Sequence, residues 1–369
     1  MKPKLDIAFF GSSLVSAYWN GAATYYRGII TALHSLGYRI TFYEPDAYER
    51  QQHRDIDDPD WATVVVYPAT EKGVMEALDS ASDRDLVIKT SGVGVFDELL
   101  EQEALERRKQ NQLVVFWDVD APATLNRVAE NAADPFRELI PEYDAILTYG
   151  GGDPVVNAYL AFGARQCLPI YNALDPATHH PATFDLRFQG DLALLANRLP
   201  DRETRIEEFF FRPAEKLSSR RFVLGGNGWG DKRVPPNVNY VGHVYTRDHN
   251  SFNCSSIAVL NVNRDSMVEY GFSPPTRVFE AAGAGACLIT DSWKGIELFL
   301  EPGVEVLVAE SGDEVGELLS SLTPEEARTI GAAGRRRILA EHTYAHRAQQ
   351  LQNFFEGEKF NTREAAAAI

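Results

Sequence analysis

Short apolar runs recur along the chain, and between them the apolar positions return with helical spacing. The runs over 5–10, 39–43, 62–67, 86–90, 113–117 and 145–149 predict buried strands, and the stretch 22–36, closed by Gly37, predicts a helix. Strands that alternate with helices in this way imply a parallel sheet covered on both faces. Ligands of such sheets bind beyond the carboxyl ends of the strands, at 11–13, 91–94, 118–120 and 150–152 here.

The segment YNALDPATHHPATF over 171–184 is polar and turn-rich, and it reads as an interdomain linker. Alternation then restarts, with strands expected over 192–196, 221–225, 257–262 and 286–290, and helices over 203–211 and 277–282. Two closing helices are expected over 324–342 and 344–358. The fold class is α/β with two Rossmann-like β/α/β domains. Their expected limits are 1–172 and 187–343, with a linker over 173–186 and a terminal helix and tail over 344–369.

A chain of 369 residues gives each of two domains a core of its own. Its net charge of −17 argues against nucleic-acid or anionic-membrane partners, which require a basic face. Cys167, Cys254 and Cys287 are scattered among apolar or small residues and read as free thiols of a reducing compartment. No apolar run approaches the roughly 20 residues of a membrane span. The start MKPKLDIAFFG runs straight into a strand, so a cytoplasmic protein is expected.

The most informative stretch is 272–310, FSPPTRVFEAAGAGACLITDSWKGIELFLEPGVEVLVAE. Arg277 and Glu280 lie three apart, on one side of a helical turn. A guanidinium suits a phosphate, and a carboxylate can accept two hydrogen bonds from a ribose diol. The small residues Gly283 and Gly285 follow, where backbone could approach a ligand. Together they describe a nucleotide-sugar pocket.

This segment resembles the donor-binding motif of retaining GT-B glycosyltransferases, in the form of CgeB-like (spore-maturation) glycosyltransferases. The matching residues are Arg277, Phe279, Glu280, Ala281, Gly283, Gly285, Thr290, Asp291, Glu297, Gly303 and Glu305. The ending His342, Thr343, Tyr344, Arg347 resembles the same family, as do VGHV at 241–244 and DVDAP at 118–122. The resemblance implies a GT-B fold, with two domains facing each other across a cleft and the C-terminal helix returning toward the first. It implies a donor side in the second domain and an acceptor side in the first. A second glutamate, carried by many GT-B transferases eight positions before the helix glutamate, is Phe272 here, with Glu269 the nearby acidic alternative.

Other residues carry weaker signals. The loop 10–28 is long for a strand-to-helix connection and holds Gly11, Ser12, Ser13, Tyr18, Trp19 and Gly21. With Gly151 it is expected to line the acceptor or cleft side. Asp118 and Asp120 allow a metal reading, since GT-A enzymes hold a cation with Asp-x-Asp. Two complete halves argue against it, leaving a catalytic role or a turn cap. Arg198 follows the first strand of the second half, where related enzymes place a basic residue on the diphosphate. Asn227, Gly228 and Trp229 form a close-approach loop, with Trp229 flanking the base, and His243 either bonds the nucleotide or caps a turn.

The expected activity is transfer of a sugar from a nucleoside diphosphate sugar to an acceptor hydroxyl, with no cofactor and no metal. A nucleotide-sugar epimerase of GT-B shape and a non-catalytic sugar- or nucleotide-binding protein are the alternatives.

Overall fold

The computed structural model describes residues 4–18 and 20–357. The chain divides into two compact units, one of residues 1–171 with 344–369 and one of residues 172–343.

The first unit is built on seven parallel strands: β1 (Asp6–Phe10), β2 (Arg39–Asp46), β3 (Thr63–Pro68), β4 (Leu86–Thr90), β5 (Leu113–Asp118), β6 (Ala145–Thr148) and β7 (Cys167–Pro169). Their order in the sheet is β3-β2-β1-β4-β5-β6-β7. β1 pairs with β2 at Ile7–Ile40 and with β4 at Ile7–Leu86, so the strand order reverses between β1 and β4. Aromatic residues fill one face. Phe9 stacks on Phe42 at 5.3 Å and meets the edge of Tyr26 at 5.5 Å, and Trp117 packs beside it. The terminal helix Tyr344–Glu356 lies on the helix Ala23–Ser35. Gly28 makes that approach possible, because a β-carbon there would lie 2.2 Å from the Tyr344 ring.

The second unit holds β8 (Gly190–Leu195), β9 (Phe222–Gly225), β10 (Val238–Gly242), β11 (Ser256–Asn261), β12 (Cys287–Asp291) and β13 (Leu307–Ala309). All are parallel, in the order β10-β9-β8-β11-β12-β13, and the order reverses between β8 and β11. In a doubly wound sheet that reversal opens a crevice at the carboxyl ends of the two strands. The apolar core includes Leu194, Phe210, Phe222, Leu260 and Ile289.

Three sequence expectations are corrected here. The helix over 203–211 is instead Pro200–Ile206, a wider turn over Glu207–Phe211 and a second helix Arg212–Lys216, with Pro213 removing an amide that a straight helix needs. The short strands β7 and β13 were not foreseen. The supposed linker 173–186 belongs to the second unit: Leu174 N–H donates to His342 O at 2.8 Å, and both Leu174 and His179 are buried.

Candidate nucleotide-sugar site

The helix Thr276–Gly283 starts at Pro275, which caps it with no side chain. Val278, Phe279, Ala281 and Ala282 are buried, and this apolar stripe fixes the helix on the sheet. Arg277 and Glu280 flank the stripe and keep only 14% and 12% of their side-chain surface.

Arg277 reaches the carboxyl end of β8. Its guanidinium donates to Leu195 O and to Asn253 Oδ1, each at the long distance of 3.4 Å, and lies 3.5 Å from Glu280 Oε2. A guanidinium has five N–H donors, and these contacts leave most of them available. Burial lowers the Arg277 pKa, with Glu280 opposing. Burial raises that of Glu280, but Arg277 and then His179 and His249 outweigh it, so the carboxyl sits below its ordinary range.

His179 and His249 complete the surroundings. Asp175 builds a turn by accepting from Ala177 N and Thr178 Oγ1, and Asn250 of the helix Thr246–Cys254 bonds Thr178 O at 2.9 Å and His180 N at 3.3 Å. That turn sets His179 3.7 Å from Glu280 Oε1. Sequence reasoning missed both: His179 because 171–184 was read as a linker, and His249 because the polar stretch 246–254 was given no role. The paired turn-former and His-His dipeptide were the available signal.

Arg202 is the second cation at this edge. Its Nη2 donates to Asn197 O at 2.9 Å, and its buried Nε has no partner. Burial lowers its pKa first; the Asp201 carboxylate opposes this, and the Arg277 and Arg264 charges add to it. A buried Arg277 beside a half-buried Arg202 places two cations at one edge, a setting that suits an anion. Arg198, expected there, is committed elsewhere: Nε and Nη2 bond Glu203 Oε1 at 2.9 and 2.7 Å, and Nη1 bonds Asp231 at 3.0 Å. Nearby, Asp291 accepts from Arg205 Nη2 at 2.7 Å and Asn263 N at 2.9 Å, tying the ends of β11 and β12 together.

Asn227 and Gly228 are exposed, and Asn227 Nδ2 lies 3.3 Å from His243 Nδ1, so these three share one rim. Trp229 is not on it. Its indole is fully buried against Phe211 and donates to Ala196 O at 2.8 Å, so it holds the loop from beneath and cannot flank a base. Gly283 and Gly285 are also corrected. A β-carbon on Gly283 would lie 2.3 Å from Leu174 Cδ1, and the 283–285 turn packs on the helix Pro324–Glu341, where Gly331 faces Gly285 O. Both glycines serve packing, not ligand approach.

In the first unit the expected acceptor residues are mostly scaffold. Ser12 Oγ bonds Asn20 Oδ1 at 2.8 Å, Ser13 Oγ bonds buried Glu44 at 3.1 Å, and Gly11 packs on the Phe42 ring. Gly151 is buried at the start of the helix Gly152–Ala161, and Gly21 faces open space just before Ala23–Ser35. Trp19 lies outside the described residues. Asp118 is fully buried and accepts from Ser91 Oγ, Thr124 Oγ1, Asp120 N and the Tyr159 hydroxyl. Three of these bonds end on Oδ1 and one on Oδ2, and with no exposed surface the group is a turn-holding carboxylate, in place of the expected cleft residue. Asp120 is exposed at the start of Ala121–Glu130.

Residues 202–353 match the family described as glycosyl transferase-like. Sucrose-phosphate synthase from Thermosynechococcus elongatus is similar over 99% of this chain and 100% of its own, at 15% identity and a TM-score of 0.66. The fold is GT-B. The Anabaena protein HepE in complex with UDP-glucose is similar over 95% and 99%, at 13% identity and 0.65. An alpha-glucosyltransferase in complex with UDP-glucose and DNA containing an abasic site is similar over 96% and 100%, at 12% and 0.69. No curated protein matches the chain. Among the described residues, no helix is long and apolar enough to cross a membrane.

Proposed function

We propose that this GT-B chain is a glycosyltransferase of the CgeB-like type that takes a nucleoside diphosphate sugar as donor. The observation that carries the reading is the buried Arg277–Glu280 pair at the β8–β11 reversal, with cationic Arg202 beside it. Glu280 would accept the two ribose hydroxyls, and Arg277 with Arg202 would neutralise the diphosphate as it leaves. The UDP-glucose complexes of HepE and of the alpha-glucosyltransferase support a donor of that class. The net charge of −17 supports a glycan, protein or small-molecule acceptor in preference to nucleic acid. We assign acceptor binding to the first unit.

The reading includes retention at the anomeric carbon, a reaction without a metal, and a cytoplasmic location supported by three unbridged cysteines. Thermal-shift and calorimetric titration with UDP, GDP, dTDP and their sugar conjugates tests donor binding. Absence of any stabilisation would sink it. Incubation with the bound sugar nucleotide and no acceptor separates slow hydrolysis, expected of a transferase, from a new epimeric sugar. Proton NMR of the product's anomeric centre tests retention, and activity should survive EDTA.

A further inference from the structure

His179, His249 and Glu280 come from a turn and two separate helices of the second unit, and one candidate ligand atom from each lies within 4.8 Å of the others. The 3.7 Å between His179 Nε2 and Glu280 Oε1 is too long for a hydrogen bond, and this buried Nε2 has no partner. His249 approaches Val244 O through Nε2 at 3.3 Å, which leaves Nδ1 as the lone-pair nitrogen, also buried and without a partner. A backbone carbonyl behind an imidazole is the outer-shell arrangement that orients metal-binding histidines. Burial, followed by the Arg277 charge for His249 and opposed by Glu280, keeps both rings in the neutral form that binds metals. The charged neighbours are Arg277, which holds the other carboxylate oxygen, Oε2, and Asp175 and His180 beside His179.

We propose that these three side chains form a site for one transition-metal ion of the zinc class, and that the ion withdraws Glu280 from the donor ribose. Two imidazole nitrogens and one carboxylate oxygen suit Zn²⁺, whereas Mg²⁺ and Ca²⁺ favour oxygen-only sets. At metal–ligand distances of about 2.0–2.1 Å the three atoms must draw together by roughly 1 Å, within reach of side-chain rotation. Arg277 opposes a dication, so the site fills only when the metal is plentiful. Metal binding itself is independent of the functional reading; the competition with ribose rests on it.

The test is calorimetric titration of the chelator-treated full chain with ZnCl₂, repeated with Co²⁺ and followed by visible absorption. One ion per chain is expected, bound at least about tenfold more weakly by His179→Ala and by His249→Ala. Circular dichroism establishes that each variant is folded, and His249→Asn replaces alanine if it is not. The cobalt form should show ligand-field bands without the thiolate-to-metal band that Cys254 or Cys287 would add. Prior saturation with UDP should weaken zinc binding. No stoichiometric zinc, binding unchanged in both histidine variants, or a thiolate band would each overturn the site. Zinc bound with UDP affinity unchanged would overturn the shared carboxylate. If UDP fails to bind the metal-free chain, the functional reading falls, and the zinc titration still decides the metal site.

Discussion

Arg277 Nη1 and Glu280 Oε2 lie 3.5 Å apart, one helical turn from each other, in a setting nearly closed to water. Removing one member of a buried pair leaves the other charge uncompensated, at a cost of about 3–5 kcal/mol. Glu280→Ala should therefore lower the melting temperature as well as donor affinity. Glu280→Gln keeps the shape and one acceptor oxygen. It should melt closer to the wild type yet bind nucleotide about ten- to a hundredfold more weakly, through loss of charge-assisted bonds. Calorimetry of both variants checks this, and equal nucleotide affinity in Glu280→Gln would reduce the helix to scaffold.

Arg202 and Arg198 make opposite forecasts. Arg202→Ala should weaken binding of a nucleoside diphosphate by about tenfold or more while leaving nucleoside binding unchanged. Arg198→Ala should leave diphosphate affinity close to wild type, since Glu203 and Asp231 already occupy that guanidinium. The reverse ranking in titrations with UDP and uridine would restore Arg198 to the site.

The stability of the second unit should depend on pH. Burial, then Arg277, holds the His249 ring down to about 4. In the unfolded chain an imidazole titrates near 6.5. As pH falls from about 6.5 to about 4, the unfolded state takes up a proton that the folded state refuses, so up to about 3 kcal/mol of stability is lost across that window. His179 acts in the same direction. The lowered pKa of Glu280 adds a loss at still lower pH, as its carboxylate is protonated. Urea midpoints measured from pH 7 to pH 4.5 should fall, and His249→Asn should flatten the curve. An identical slope in that variant would contradict the assignment.

Gly283→Ala should destabilise by about 1–3 kcal/mol, because the added methyl meets the Leu174 side chain at 2.3 Å and His179 O at 3.2 Å. Differential scanning calorimetry reads this directly. An unchanged melting temperature would mean that the Leu174 segment does not hold its place on the helix.

The sheet strands were legible because buried parallel strands are near-continuous apolar runs, as 86–90 and 113–117 illustrate. β7 and β13 escaped because three-residue edge strands carry too little pattern. Arg277 and Glu280 were legible from their spacing and apolar neighbours. Trp229, Gly283 and Asp118 were misjudged for a shared reason: residue type shows what a side chain can do, while its surroundings decide whether it is free to do it. An indole that caps Ala196 O and a carboxylate with four donors have spent that capacity. His179 was missed because its role arises from Glu280, some 100 positions away, and its place from Asn250, which bonds the flanking Thr178 and His180.

The Tyr344 ring seated on Gly28 gives the first unit a property that the second lacks. Its chain is interrupted, so the groove on the helix Ala23–Ser35 stays open throughout synthesis of everything between. The second unit is contiguous and can condense as it emerges, whereas the first has to wait for Tyr344–Glu356 before its aromatic surface is sealed. A released chain that ends before Tyr344 would thus carry every residue of the second unit but a first one whose Ala23–Ser35 helix lacks its cover, and it is the first that chaperones would meet.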